Sequence, residues 1–142
     1  MTKERRKLVI SVIGLPERWI EQNGTYYLYV TFVKPDEKMG TYVMIADRPD
    51  GPFRFAEGNG LFAPGVEGVD SPFIVNDIDG EPFIDDDGNG YLFWRRRLAA
   101  RLSADRLHIE GEPLTMQTAV QGYSEGPLMF KYGKVSIIMY IR

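Results

Sequence analysis

Two carboxylates stand where acid chemistry can begin. Asp79 precedes a glycine in NDIDGEPF, and Glu125 sits in GYSEGPLMF. Both lie beside glycine and proline, just ahead of an apolar run, where an acid can project into a central channel. A pair of Asp/Glu side chains across a sugar-sized cleft is the machinery of glycoside hydrolysis. One acid protonates the leaving oxygen, the other activates water, and each is tuned by its surroundings. The competing account is a turn acid bonded to its own backbone. Pattern alone leaves both open.

A second acidic group, FIDDDGNGYLFWRRR at residues 83–97, suggests a cation site. Asp85, Asp87, Asn89 and Gly90 fall on the first, third, fifth and sixth places of an EF-hand loop. The twelfth place, which needs a bidentate Glu between helices, is Arg96, and the flanks are strand-like. The stretch reads instead as a hairpin tip whose Asp and Asn cap the turn and whose Gly takes positive φ, and no metal is expected. Arg95, Arg96 and Arg97 are expected to pair with that acidic tip or to face solvent. Without a glycine-rich helix start they make no phosphate site. Phe73, Trp94 and Tyr123 flank the candidate acids and are the candidate substrate-binding rings, since an aromatic face can stack on a sugar. Core packing is their alternative, and the favoured one for Trp94, which continues an apolar strand. His108, in RLHIEGE, reads as a strand-surface histidine.

These residues need a scaffold, and the composition points to an all-β one. The chain has 142 residues, 44% apolar and 26% charged, with formal net charge -3 and no cysteine. That fits one globular domain, excludes disulfides and thiolate metal sites, and gives no basic footprint for nucleic acid. The start, MTKERRKLVISVIGLPERW, mimics a signal peptide but lacks a small-x-small cleavage site. Its apolar run from Leu8 to Leu15 reads as a short buried strand, too short to cross a bilayer. The compartment stays open.

Three stretches repeat a glycine turn followed by an aromatic and β-branched run: NGTYYLYVTFV, DGNGYLFW and YGKVSIIMYI. Each predicts a hairpin leading into a strand buried on both faces. Weaker strands are expected at 41–46, 53–56, 73–75, 98–102 and 107–109, with one helical turn within 99–105. Gly24, Gly88 and Gly133 recur at roughly the spacing of a four-stranded propeller blade, which gives about two and a half blades. A plain β-sandwich is the other architecture open at this point.

The order of motifs resembles glycoside hydrolase family 43, the five-bladed propeller arabinofuranosidases, xylosidases and arabinanases. NGTYYLYVTF and MIADRPDGPF resemble its second blade, and IDGEPFIDDDGNGYLFW its third-blade signature. AARLSADRLHIEGEP resembles the continuation of that blade, and GYSEGPLMFKYGKVSIIMY the family's Tyr-x-Glu-Gly-Pro strand start. The likeness covers about Trp19 to Tyr140, some blades two to four, and leaves 1–18 poorly matched. It implies an inverting glycosidase with no cofactor, acting on arabinose- or xylose-containing carbohydrate, with neither nucleic acid nor membrane as partner. Glu125 matches the general acid, and Asp79 the acid that modulates its pKa and holds it in place. Gly80 stands where the family commonly has proline, which is expected to loosen the loop. The first-blade Asp that serves as general base has no match, and His108 matches no catalytic position. The expectation is a partial propeller of 19–142, weak or inactive alone, ending mid-blade and self-associating through its open edges. A non-catalytic carbohydrate-binding or assembly module is the alternative.

Overall fold

The computed structural model describes residues 18–33, 39–56, 73–119, 122 and 124–141, so the apolar run at 8–15 and Tyr123 lie outside the described residues. Ten strands form three antiparallel sheets, each ordered as the chain runs. The first sheet is β1 (Arg18–Gln22), β2 (Thr25–Val33), β3 (Met39–Ala46) and β4 (Arg54–Phe55). The second is β5 (Glu81–Ile84), β6 (Gly90–Trp94), β7 (Leu98–Leu102) and β8 (Ile109–Thr115). A hairpin of β9 (Glu125–Tyr132) and β10 (Val135–Ile141) makes the third. The first strands, β1, β5 and β9, touch in succession. They are the inner strands of a partial β-propeller, with two four-stranded blades and half of another.

The glycine repeat is a repeat of blade hairpins. Gly24, Gly88 and Gly133 each turn the first strand of a sheet into the second, with φ of 81°, 81° and 61°. Nothing lies within 4 Å of where a Cβ would sit on any of them, so backbone conformation and not space demands glycine there. Proline obeys a complementary rule. Pro82, Pro113 and Pro127 lie in β5, β8 and β9, all edge strands of their sheets, where a missing N–H need not break a ladder.

The β2 strand has the two buried faces that its unbroken apolar run predicts. Tyr29 packs with Val43, Val75, Leu92, Trp94, Ala100 and Leu102 between the first two sheets. Leu28, Val30 and Phe32 join Tyr42 on the opposite face. There the rings of Phe32, Tyr42, Phe55 and Phe73 meet at centroid distances of 4.5–5.7 Å. Burying such rings is the main apolar contribution to folding. The third repeat differs: Val135 and Met139 of β10 are exposed, as are Leu128 and Phe130 of β9. A two-stranded sheet has too few neighbours to cover both faces.

Three local expectations are corrected. Residues 99–105 hold the end of strand β7 and a turn; among the described residues the 3-10 turn is Arg95–Arg97, because Leu98–Leu102 is drawn into pairing with β6. Residues 73–75 form no strand but one bridge, Thr41 to Val75. The strand expected at 107–109 starts only at Ile109 and runs to Thr115.

That bridge lies within the described part of the connection between β4 and β5. Ile74 N–H donates to the Thr41 carbonyl (2.9 Å), and the Thr41 hydroxyl donates to the Asp77 carbonyl (2.9 Å). The Asp79 N–H then donates to the Thr31 hydroxyl (3.0 Å). Thr31 and Thr41 face each other across the β2–β3 ladder, so the connection crosses that sheet on two buried hydroxyls. Gly80 does not loosen it. A Cβ on Gly80 would lie 2.6 Å from Thr41 Cγ2, so the Thr41 side chain occupies the space that any larger residue needs.

Gly80→Ala is therefore expected to lower stability by about 1–3 kcal/mol, the usual range for overpacking. Thr41→Ser removes Cγ2 and keeps the hydroxyl bonded to Asp77. The double variant should lose less than the sum of the singles in urea denaturation. Strict additivity would show that the close approach of Thr41 is not what excludes a side chain.

Candidate active site

The two candidate acids meet at one end of the inner strands. Glu125 is the first residue of β9, and Asp79 lies two residues before β5. Gly126 N–H, one residue past Glu125, donates to Asp79 Oδ2 at 3.2 Å. The Asp79 carboxylate thus bridges two inner strands and lies within the electrostatic reach of Glu125.

The same end gathers left-handed backbone: Asp79 (φ 65°), Arg96 (63°), Arg97 (59°) and Gly126 (47°). Asp visits this region at modest cost and Gly at none, but for Arg it is uncommon. Several contacts hold the turn at 95–97 in place, among them Met116 N–H to the Arg97 carbonyl (2.7 Å). Arg95 pairs with Asp77, Arg96 N–H donates to the Ser124 carbonyl (3.1 Å), and Arg97 Nη1 donates to Thr118 Oγ1 (3.0 Å). The Asp77 carboxylate also accepts the Ile78 N–H at 2.9 Å, which rigidifies the residues leading into Asp79.

Just beyond Asp79, the buried Glu81 ties the three inner strands together. Its Oε1 lies 2.5 Å from Arg18 Nη1 at the start of β1 and accepts Met129 N–H of β9 at 2.9 Å. Neighbouring inner strands share no backbone ladder. Their relative height at this end is therefore set by single contacts.

Burial is the first cause of the unusual electrostatics. It pushes the Asp79 carboxyl above the ordinary range; the Gly126 N–H opposes this, the Glu125 charge adds to it, Arg95 opposes it and Asp77 adds again. Burial also raises Glu81, against the hydrogen bond from Arg18 and the Met129 N–H. A buried carboxyl beside a second acid is the arrangement by which proteins keep a proton available near neutral pH.

The remaining sequence candidates go elsewhere. Trp94 is 3% exposed and belongs to the core between the sheets, so its ring is committed to packing and offers no sugar platform. Phe73 is partly buried against Tyr42, with ring centroids 4.5 Å apart. The arginines neither pair with the acidic tip nor all face solvent: Arg95 and Arg97 are bound at the site, and only Arg96 is exposed. Other cations meet the tip: Lys131 pairs with Asp86, Arg101 Nη2 donates to Asn89 Oδ1 (2.6 Å), and Arg106 Nη2 donates to the Gly88 carbonyl (2.8 Å). The tip itself is a self-capped turn. Asp85 Oδ1 accepts the N–H groups of Asp87 (3.0 Å) and Asn89 (2.8 Å), as a turn acid should. It lies at the far end of β5 from Asp79. His108 is exposed beside Asp105, whose Oδ1 is 3.7 Å away.

Sequence reasoning missed Thr31, Thr41, Asp77, Glu81 and Arg18. A signal existed for the threonines and Glu81. Each interrupts an apolar or proline-bearing stretch that has to be buried, and a buried polar group must find a partner.

Comparison with known proteins places this geometry in context. The sequence model of "Glycosyl hydrolases family 43" matches residues 18–140. A protein of known structure described as a glycoside hydrolase is 32% identical, with TM-score 0.72 over 87% of this chain and 29% of its own. An endo-arabinase from Bacteroides thetaiotaomicron is 24% identical, with TM-score 0.60 over 87% of this chain and 49% of its own. An alpha-L-arabinofuranosidase from Clostridium thermocellum is 24% identical, with TM-score 0.56 over 87% and 45%. This chain thus spans less than half the length of each. No curated protein matches it.

The raised carboxyls fix a sign for pH dependence. Above the ordinary carboxylate pKa, roughly 4, the unfolded chain has released protons that folded Asp79 and Glu81 still hold. Stability should fall as pH rises through that window until both folded groups ionise. Asp50 and Asp105 shift downward, and what they add is complete by the start of the window. Asp79→Asn should make the fall shallower in urea denaturation midpoints measured across it. An unchanged slope would show that Asp79 ionises as it does in the unfolded chain.

Proposed function

The chain belongs to glycosyl hydrolases family 43, and from that premise we propose that it carries two of the three carboxylates of an inverting glycosidase acting on arabinose- or xylose-containing carbohydrate. Glu125 is the general acid, protonating the glycosidic oxygen as the bond to the anomeric carbon breaks. Asp79 holds Glu125 in place and biases its proton. The observation that carries this reading is the Gly126 N–H to Asp79 Oδ2 bond, which fixes one acid against the backbone that bears the other. The relatives named endo-arabinase and alpha-L-arabinofuranosidase support the substrate class. Phe73 and Tyr123 remain the ring candidates for stacking on the sugar.

Inversion needs a water held opposite the leaving group by a base, with the two carboxyls roughly 6.5–9.5 Å apart. No residue of these 142 matches that base, so this chain by itself activates water poorly. Azide needs no base. It attacks the anomeric carbon, the aglycone oxygen leaves with the bonding pair, and that oxygen takes the Glu125 proton. With an arabino- or xylo-oligosaccharide, whose sugar alkoxide must be protonated to leave, the expected result is a low rate in buffer and an azide-dependent rate that yields the glycosyl azide. Glu125→Gln should lower that rate by about 10²–10⁴-fold. An azide rate indifferent to Glu125 would sink the assignment of the acid, and normal enzyme rates without azide would sink the missing base.

The β10 edge supports a proposal about partners. Val135–Ile141 carries neither charge nor proline, two devices by which edge strands avoid pairing, and Val135 and Met139 are exposed. A second copy of the chain pairs along it in solution. Light scattering should give dimers or larger species, and a monodisperse monomer would refute the pairing.

A further inference from the structure

Arg96 is the one member of its triplet with an exposed side chain, and its backbone lies at the same end of the inner strands as the two acids. Its N–H bonds the carbonyl of Ser124, the residue immediately before Glu125. Arg95 on one side pairs with Asp77, and Arg97 on the other bonds Thr118. Among the described residues the Arg96 guanidinium has neither an ion-pair nor a hydrogen-bond partner. The backbone at Arg96 and Arg97 is left-handed, a conformation that costs a non-glycine residue energy and that clusters where function over-determines the structure. Glycine or asparagine would serve a bare turn better. Next to it, the Ser124 hydroxyl is buried and lacks a partner among the described residues. Buried hydroxyls are normally satisfied, so this one is poised for a polar group it does not yet have.

We propose that Arg96, with Ser124 beneath it, forms an anion subsite at the rim of the Asp79–Glu125 centre that takes the carboxylate of a uronic acid carried by the substrate. This rests on the glycosidase reading of the centre. A guanidinium presents a planar fork that matches a carboxylate through two parallel hydrogen bonds, which a neutral sugar hydroxyl cannot reproduce. Asp79 and Glu125 would repel an acidic sugar; Arg95 is already paired with Asp77 and Arg97 is bound to Thr118, so Arg96 is the cation of this turn whose head group is exposed to meet one. The subsite thus admits a charged substrate class that the catalytic carboxylates alone would disfavour.

Calorimetric titration of the 142-residue chain tests this with two probes. One is a xylo-oligosaccharide bearing glucuronic acid; the other is the same molecule with its carboxyl reduced to the alcohol. The acidic probe should bind roughly three- to fivefold more tightly, the scale of one exposed ion pair, and the preference should vanish in high salt. Arg96→Asn tolerates the left-handed backbone, so it should keep the fold and the affinity for the reduced probe while losing the preference. Equal binding of the two probes by the unaltered chain overturns the subsite and leaves the glycosidase reading standing. A preference that survives in Arg96→Asn also overturns it. Binding of neither probe removes the sugar site itself, and the subsite with it.

Discussion

The partial propeller depends on one carboxylate. Blades built as separate antiparallel sheets have no backbone ladder between their inner strands, so the height of β5 against β1 and β9 is fixed by single contacts, Gly126 N–H to Asp79 and Arg96 N–H to the Ser124 carbonyl among them. Glu81 makes two such contacts with a single oxygen, which meets the Arg18 guanidinium on one side and the Met129 N–H on the other. Its place in sequence, two residues after Asp79, makes the structural and the chemical constraint one. Whatever sets the height of β9 against β5 also sets Glu125 against Asp79. A buried ion pair is weak evidence for net stability, because desolvating both groups offsets their attraction. Its contribution here is geometric, selecting one alignment among several that apolar packing alone would allow.

Around that tie, two kinds of contact divide the work. Apolar side chains of β2, β3, β6 and β7 supply the bulk of the burial between the first two blades. Polar contacts of short reach (Thr41 to Asp77, Thr31 to Asp79, Arg95 to Asp77) steer the connecting segment over the top of the first sheet. Packing is tolerant of small displacements, whereas a hydrogen bond is not. It follows that Asp79 is held by the second kind, kept half-buried and raised in pKa without a rigid strand beneath it.

Much of this was legible in the sequence. The glycine turns at Gly24, Gly88 and Gly133 marked the blade hairpins because left-handed φ leaves a residue-type signature that survives any tertiary context. β2 and β6 announced themselves by apolar runs, and the order of motifs singled out Asp79 and Glu125. Trp94 was legible: it continues an apolar strand, which favours core packing, and its ring is buried between the sheets. The turn at Arg95–Arg97 was not legible, since three arginines say nothing of which would find a partner across the chain. The role of Gly80 was misjudged for a related reason. Its constraint comes from Thr41, distant in sequence, so no local pattern records it.

The turns at Gly24, Gly88 and Gly133 lie at the opposite end of the inner strands from the acids, and their glycines border open space. The two ends of the axis therefore face different selective regimes. At the acidic end, connections are stitched residue by residue, and a change of length would shift a carboxylate. At the hairpin end, the turns at Gly24 and Gly133 can be lengthened, shortened or recoloured with charge at little cost, while the Gly88 turn keeps its ties to Arg106 and Lys131. Divergence within such a scaffold is free to accumulate on one pole while the other stays fixed, so a single architecture can acquire new surfaces without renegotiating its chemistry.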